Sequence, residues 1–401
     1  MAGNRLNRPD EAERKRPALS EADMQARWLR AGIYRAPQED ERLYRVSVAE
    51  LVLLQVERIN KAGRPIGTGE PITAAVDGEE AIWPTDPVLR RVIRRAIAGL
   101  YAVGIDIGEA DVALHVDGRV SMRAVRRLRN QLYPATRPVP EAASLLIGAD
   151  PEFVLIKPDG KVAHASRYLG GPRGAAGSDS MLIRRRLMYP IAELRPDPAA
   201  DPAALAAGIR RLLLRAAGLV RDKGLRWAAG AMPVPGLALG GHIHLSGVRL
   251  TPRLLRLLDS YAAFPLALVE DPAGRGRRPR YGVLGDYRQQ PHGGFEYRTL
   301  PSWLVSPAAA KAAFALALLC ACEADALAYI PALDERYVAA YYAGDRAELA
   351  GCLDRVAASM AATESYAALA PYIEPLLDAA RRGATWDERA DIRVKWRIPR
   401  E

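Results

Sequence analysis

Four stretches of this chain place ionisable side chains two residues apart inside otherwise apolar runs: Asp150 and Glu152, Glu193 and Arg195, His242 and His244, Glu296 and Arg298. Residues i and i+2 of a β-strand point the same way, so each pair predicts two polar groups on one face of a sheet. A single pair says little. Asp150-Pro-Glu152 could be a turn, Glu193/Arg195 a surface ion pair worth at most about 1 kcal/mol, and His242/His244 a hydrogen-bonded pair in a sheet. Together they constrain the fold, because burying so many ionisable groups is costly unless they pair or hold a metal. Several carboxylates with a histidine suit divalent cations that take oxygen ligands, chiefly Mg²⁺ or Mn²⁺. Arginines beside them suit phosphate oxygens. Acids, a hard cation and arginines in one place describe a phosphoryl-transfer site.

The chain around these pairs has 401 residues, enough for two or three domains. Its 49% hydrophobic and 26% charged residues exclude disordered, collagen-like and coiled-coil readings. Lys and Arg number 57 against 47 acids, a formal +10 that favours anionic partners but leaves the fold open. Aromatics make up 6% and are not interleaved with the basic residues as single-strand binding would require. Three cysteines, Cys320, Cys322 and Cys352, cannot form a disulfide framework and read as buried thiols in Ala-rich helices. The polar N-terminus lacks a signal-peptide core, and the apolar run Ala312–Cys322 is too short to span a bilayer. A cytoplasmic protein without a membrane partner is the expectation.

Residues 1–43 read as a charged, loosely ordered arm in which Arg14-Lys-Arg16 could touch nucleic acid. Residues 44–134 read as a small α+β domain, with a Val- and Leu-rich run from Tyr44 to Val56, a helix starting at Asp86-Pro87 and a hairpin turning at Asp117-Gly118. A Pro-rich linker, 135–143, precedes a section of mixed strands and helices, 144–345. Residues 346–401 read as a helical C-terminal region, and the whole tail from Pro307 is expected to be helical with breaks near Gly344 and Pro371. Gly170-Gly-Pro-Arg-Gly-Ala-Ala-Gly177 opens no evident helix and reads as a mobile flap over a site. There is no P-loop, dinucleotide fingerprint or nucleophile elbow.

Gly148-Ala-Asp-Pro-Glu-Phe153, Glu193-Leu-Arg-Pro196, Gly240-Gly-His-Ile-His244 and Glu296-Tyr-Arg-Thr-Leu-Pro-Ser-Trp303 resemble the signature segments of the phage-type, phiEco32-like COOH·NH2 ligases of type 2. That family belongs to the glutamine synthetase and glutamate–cysteine ligase superfamily, and the resemblance covers about residues 144–305, with the motifs in the expected order. It implies an α+β fold: a glutamine synthetase-like catalytic domain whose curved, mainly antiparallel sheet is backed by helices. It also implies ATP-dependent ligation of a small-molecule or peptide carboxylate to an amine through an acyl phosphate, with ATP and Mg²⁺ or Mn²⁺ as cofactors. By the same resemblance Asp150, Glu152, Glu193, His242 and Glu296 would hold metal, with His244 a neighbour on the nucleotide side. Arg298 would grip the transferred phosphate, Arg288 would be a second phosphate arginine, and Arg195 would lie with them. Glu296, Arg288 and Arg298 are thus the expected catalytic group.

Two rivals differ in kind. A metal-dependent amide hydrolase could set zinc among His242, His244 and Glu152, leaving Arg298 and the Glu193-Leu-Arg segment unused. A basic nucleic-acid-binding module would rest on the +10 charge and the arm, and nucleic acid is not the expected partner. Substrate identity and oligomeric state are not written in the motifs.

Overall fold

The computed structural model describes residues 19–34, 42–66, 72–73, 85–128, 144–171, 174–183, 186–290 and 293–399. The 135–143 linker and Arg14-Lys-Arg16 lie outside them. The chain divides into two compact units, Met1–Glu141 and Ala142–Glu401.

In the first unit, strands β1 (Arg42–Ala49), β2 (Val52–Ile59), β3 (Ile72–Thr73), β4 (Ile107–Leu114) and β5 (Val120–Arg127) form an antiparallel sheet in the order β3-β2-β1-β4-β5. The run from Tyr44 to Val56 is therefore two strands. They are joined through Glu50 and Leu51, both with positive φ. Neither is the glycine or asparagine that usually announces such a hairpin turn, so the turn is invisible in the sequence. The helix Pro87–Ala102, capped by Asp86, buries Val92, Ile93, Ala96, Ile97 and Leu100. The stretch read as a loose arm contains a second helix, Glu21–Arg30, capped by Ser20. Its Trp28 is 3% exposed and donates Nε1–H to the Gly99 carbonyl at 2.9 Å. Ile33 is buried beside it, and the Met122 N–H donates to the Tyr34 carbonyl at 3.0 Å, contacts that the charge pattern did not suggest.

The second unit is built on β6 (Leu146–Ile156), β7 (Val162–Ala163), β8 (Ala176–Ile183), β9 (Arg186–Leu194), β10 (Arg226–Ala228), β11 (Gly241–Ser246), β12 (Tyr287–Gln289) and β13 (Phe295–Tyr297). The sheet runs β12-β13-β11-β6-β9-β8, with β7 and β10 added along β6, and its pairings are antiparallel. This is the expected α+β architecture, a curled antiparallel sheet with helices. Pro151 marks the point where β6 hands its pairing from β11 to β9, a position at which a missing N–H is tolerated. The residues read as a flap end in β8, a strand the glycines concealed.

One face of the sheet carries Ile147, Phe153, Leu155, Ile243, Leu245, Phe295 and Tyr297, all buried. Phe153 stacks on Trp227 at 5.1 Å, and Trp303 meets Phe314 edge-on at 4.6 Å. Phe314 belongs to the helix Pro307–Cys322, which is apolar almost all round and nearly fully buried, as expected of a helix in the core. Cys320 and Cys352 are buried, but Cys322 at the end of that helix is exposed, a departure from the reading of three buried thiols. Pro371 does not break its helix, which runs Tyr366–Arg381 through both Pro371 and Pro375, whereas Gly344 ends Glu335–Ala343 in a left-handed conformation. No helix among the described residues is long and apolar enough to cross a membrane.

The C-terminal segment is sewn into this unit. Trp396 donates Nε1–H to the Leu304 carbonyl at 2.7 Å, and Arg393 donates to the Leu225 carbonyl at 2.6 Å. Glu388 accepts N–H groups from Ala231 at 2.8 Å, Met232 at 2.9 Å and Asp271 at 3.3 Å. Burial nonetheless pushes its carboxyl up to about 7, with the charge of Glu270 adding to the effect. Below that value the folded protein holds a proton that an unfolded glutamate, with an ordinary value of 4.5, releases. Stability should therefore fall as pH rises from about 5 to about 7 and level off above it. The Tm advantage of wild type over Glu388→Gln should shrink across that window. A pH-independent difference would show that Glu388 titrates like an exposed glutamate.

Candidate active site

The strand register decides where the four pairs go. Asp150 lies opposite His242 in the β6–β11 ladder, and His244 opposite Glu296 in β11–β13. Arg288 lies opposite Glu296 in β12–β13, and Glu152 opposite Glu193 in β6–β9. Cross-strand partners share a face, so the register sets Arg288, Glu296, His244, His242, Asp150, Glu152 and Glu193 on the same side of the sheet. Arg298 and Arg195 follow two residues after Glu296 and Glu193.

Distances divide this row into two groups. His242 Nδ1 is 3.2 Å from both Asp150 Oδ1 and Glu296 Oε1, and His244 Nε2 is 3.2 Å from Asp150 Oδ2. Ligand-type atoms of Asp150, His244 and Glu296 all lie within 4.8 Å of one another. Asp150 Oδ1 and His244 Nε2 are buried yet find no hydrogen bond of good geometry. An oxygen-rich set with two orphaned atoms fits a hard divalent cation. Glu193 sits three strands from Glu296, roughly 14 Å at ordinary strand spacing, so the five predicted metal ligands cannot share one ion. Glu152 and Glu193 form the second group. Arg195 is held there, paired with Glu193 and donating to the Gly174 carbonyl at 2.9 Å.

Charge and burial set the protonation of the row. Burial opposes the Asp150 carboxylate, but the His242 and His244 imidazoles beside it outweigh that cost and hold the carboxyl well below its usual range. Burial likewise opposes His242 as a cation, and Asp150 with Glu152 outweighs it, raising the imidazole. Burial pushes Glu152 up to about 7 despite the charge of His242 and an N–H from Gly240 at 2.6 Å. Beyond Glu152 the same face turns apolar, with Val154, Ile156, Ile191, Leu237 and Leu239 packed together. The arginines stand at the open end. Arg298 donates Nε–H to Glu296 Oε1 at 2.9 Å, Arg288 lies 3.3 Å from Glu296 Oε2, and their side chains are 32% and 55% exposed.

The glycines before His242 are explained by close approach. A Cβ on Gly240 would meet His242 Nε2 at 2.4 Å, and one on Gly241 would meet the Pro301 carbonyl oxygen at 2.4 Å and Trp303 Nε1 at 2.6 Å. Trp303 in turn donates to the Gly241 carbonyl at 2.8 Å. The segment after Arg298 therefore clamps the histidine strand, a contact between two motifs that sequence shows only as separate.

Two residues near the site were missed. Gln290 donates Nε2–H to Glu296 Oε2 at 3.2 Å. Asp286 stands beside Arg298, whose N–H donates to the Asp286 carbonyl at 2.9 Å. Burial raises its carboxyl against the charges of Arg298 and His242. The i, i+2 spacing of Asp286 and Arg288 was the available signal, hidden because β12 is only three residues long.

A row of acids and imidazoles ending in two arginines, on the face of a curled antiparallel sheet, offers the groups that suit a hard cation and phosphate oxygens. The chain belongs to the phage phiEco32-like COOH.NH2 ligase type 2 family, which it matches over residues 147–398. The match extends beyond residue 305 through the helical tail. A comparison with curated proteins finds no match. Among solved structures, the chain is similar to a bifunctional glutathione synthetase from Pasteurella multocida at 10% identity and a TM-score of 0.40, over 63% of this chain and 52% of that one. It therefore spans about half the length of that enzyme. It is also similar to GmaS without ligand, at 14% identity and a TM-score of 0.32, over 69% of this chain and 82% of that one. Likenesses this distant carry no argument about activity.

Gly241→Ala tests the clamp. The added methyl has only backbone and an indole to push against, and overpacking of this kind costs about 1–3 kcal/mol. Tm should drop, while Gly160→Ala, where nothing lies within 4 Å of the new Cβ, should cost less even though its φ of +79° strains alanine. Equal losses at the two sites would refute the clamp.

Proposed function

We propose that the second unit is an ATP-dependent carboxylate–amine ligase that forms an amide through an acyl phosphate. The observation that carries this reading is the shared face: one strand register sets acids, imidazoles and arginines side by side, the kinds of group that phosphoryl transfer uses. Membership of the ligase family supports it.

Asp150, His244 and Glu296 would hold one divalent cation, with Glu152 and Glu193 available to a second. Such a cation, when bound, supplies positive charge to the phosphates of ATP. Arg288 and Arg298 sit where their guanidinium forks can take the oxygens of the transferred γ-phosphoryl group, whose charge is spread over three equatorial oxygens. Glu296 orients Arg298 through the 2.9 Å bond, and His242, lodged between Asp150 and Glu296, keeps the two carboxylates from repelling each other. The carboxylate substrate attacks the γ-phosphorus and ADP leaves. The amine then attacks the acyl carbon and phosphate leaves.

The zinc hydrolase reading has less support. It needs Glu152 beside both histidines, but Glu152 is bound to Gly240 N–H, and the three atoms that converge come from Asp150, His244 and Glu296. The nucleic-acid reading rests on the +10 charge and the arm, whose Arg14-Lys-Arg16 lies outside the described residues.

The products should be ADP and phosphate, and a carboxylate substrate labelled with ¹⁸O should transfer one label to the released phosphate. Amide formation with unlabelled phosphate would sink the acyl-phosphate route. Arg298→Lys keeps the charge but loses the fork. It should lower kcat by roughly 10²-fold or more with a much smaller change in ATP affinity, the signature of an interaction made in the transition state. Equal losses in kcat and affinity would make Arg298 an ordinary binding residue.

A further inference from the structure

Arg288 stands on a weak strand. β12 has three residues, lies at the end of the strand order and pairs, among the described residues, with β13. Tyr287 is half-buried and Arg288 and Gln289 are exposed, so β12 buries little that would resist a slip. A slip of one residue would carry Arg288 to the opposite face from Glu296. The register of the arginine ladder must therefore be set from outside it.

Four side chains hold the backbone that leads into β12, one at each of four consecutive residues. The Gly282 carbonyl accepts the Tyr341 hydroxyl at 2.9 Å, and the Val283 carbonyl accepts the Thr299 hydroxyl at 2.7 Å. The Leu284 N–H donates to the Tyr342 hydroxyl at 3.0 Å, and the Gly285 N–H donates to Asp259 Oδ1 at 2.9 Å. Asp259 does more than the other three, because the same oxygen accepts the Tyr297 hydroxyl at 2.6 Å. Tyr297 lies opposite Tyr287 in the β12–β13 ladder. One oxygen thus grips both strands, and sliding β12 along β13 by one residue, about 3.3 Å, would break one of its bonds. Asp259 is 1% exposed and opens a π-turn, Asp259–Ala263, within the helix that runs from Pro252 to Val269. Inserted turns of this kind are frequent at functional sites. Tyr297 belongs to the buried face, so Asp259 lies behind the sheet, away from the polar row.

We propose that Asp259 is the positioning residue for the phosphate arginines, fixing the register of β12 on β13 and so the spacing of Arg288 and Arg298. This rests on the ligase reading above. The two arginines come from opposite sides of the same ladder, and the Arg298 N–H bond to the Asp286 carbonyl at 2.9 Å carries the register from one to the other. Two guanidinium forks can share the oxygens of one transferred phosphoryl group only if both are held in place. Charge-assisted bonds to a buried carboxylate suit that task, because they are short, strong and costly to break. Loss of the tie should therefore harm the transferred group far more than the nucleotide that delivers it.

Mg-ADP with aluminium fluoride separates the two, because the fluoride complex stands in for the phosphoryl group in transit and transition-state mimics bind more tightly than ground states. The Kd of Mg-ADP, with and without aluminium fluoride, would be measured by calorimetry for wild type, Asp259→Leu, Asp259→Asn and Tyr297→Phe. Asp259→Leu has no acceptor, whereas Asp259→Asn keeps an oxygen that can take both donors. The expected result is that Asp259→Leu holds Mg-ADP within about threefold of wild type and loses roughly 10²-fold in affinity for the fluoride complex, the effect of a catalytic group displaced by about 1 Å. Asp259→Asn should lie closer to wild type than to Asp259→Leu. Undiminished binding of the fluoride complex by Asp259→Leu overturns the proposal. Equal weakening of both ligands overturns it too and makes Asp259 a folding residue only, and so does an Asp259→Asn as impaired as Asp259→Leu. Should Asp259→Leu fail to fold, Tyr297→Phe removes one arm of the tie: selective weakening of the fluoride complex supports the proposal, and wild-type affinity for it refutes it. A wild type that binds no Mg-ADP, or gains nothing from aluminium fluoride, fails the ligase reading and takes the proposal with it.

Discussion

A slip of one residue between β6 and β11 would turn His242 and His244 to the opposite face from Asp150. The rest of the second unit depends on that not happening. The β6–β11 ladder sets His242 across from Asp150, β11–β13 sets Glu296 across from His244, and β12 adds Arg288. Register is enforced from the other face, where Ile147, Ile243, Leu245, Phe295 and Tyr297 alternate with the polar residues and are buried. A slipped strand would expose these side chains and bury the charged ones. At about 1.5–3 kcal/mol for each large apolar side chain, the hydrophobic face specifies the position of the polar one.

The polar face is expensive in isolation, and its members moderate one another. Asp150 stays ionised because two imidazoles outweigh its desolvation, whereas Glu152, next to the Val154–Ile191–Leu239 cluster, is pushed up to about 7. The contrast between two carboxylates two residues apart follows from what each meets across the sheet: histidines for Asp150, another acid and an apolar patch for Glu152. Removing one partner from such a network leaves an uncompensated charge, the costly case for buried ion pairs. That asymmetry explains why the support around the site is itself polar and buried. Arg277 donates to the Thr299 and Leu300 carbonyls at 2.9 and 3.1 Å, just beyond Arg298, and Glu388 anchors the loop before Gly240.

Much of this site was legible because its chemistry obeys the two-residue period of a strand. Asp150, Glu152, Glu193, His242, His244, Glu296 and Arg298 could be marked without coordinates. Asp286 and Gln290 could not, since β12 is too short to show a period, and Asp286 was visible only as a neighbour of Arg288. Asp259 was out of reach for a different reason. It lies in an apolar helical run, and its role exists only through bonds to residues 26 and 38 positions away. The stretch 273–280 has the Arg/Gly/Pro composition of a loop, which gives no sign that Arg277 is 2% exposed. The same limit hid Trp28, whose partner is 71 residues distant.

The sequence by itself determined which groups could be brought together and on what kind of scaffold. Alternation of apolar and ionisable residues demands strands with one oily and one polar face, and Gly240-Gly241 demands a backbone packed against its surroundings. What only the tertiary structure decided is the division of labour. Register and strand order place Asp150, His244 and Glu296 within 4.8 Å of one another while leaving Glu193 with Arg195, and lodge His242 between two carboxylates. Those outcomes follow from which strands become neighbours. Strand neighbours are set by the packing of the buried face and the helices behind it, contacts between residues far apart in the chain that no local period encodes.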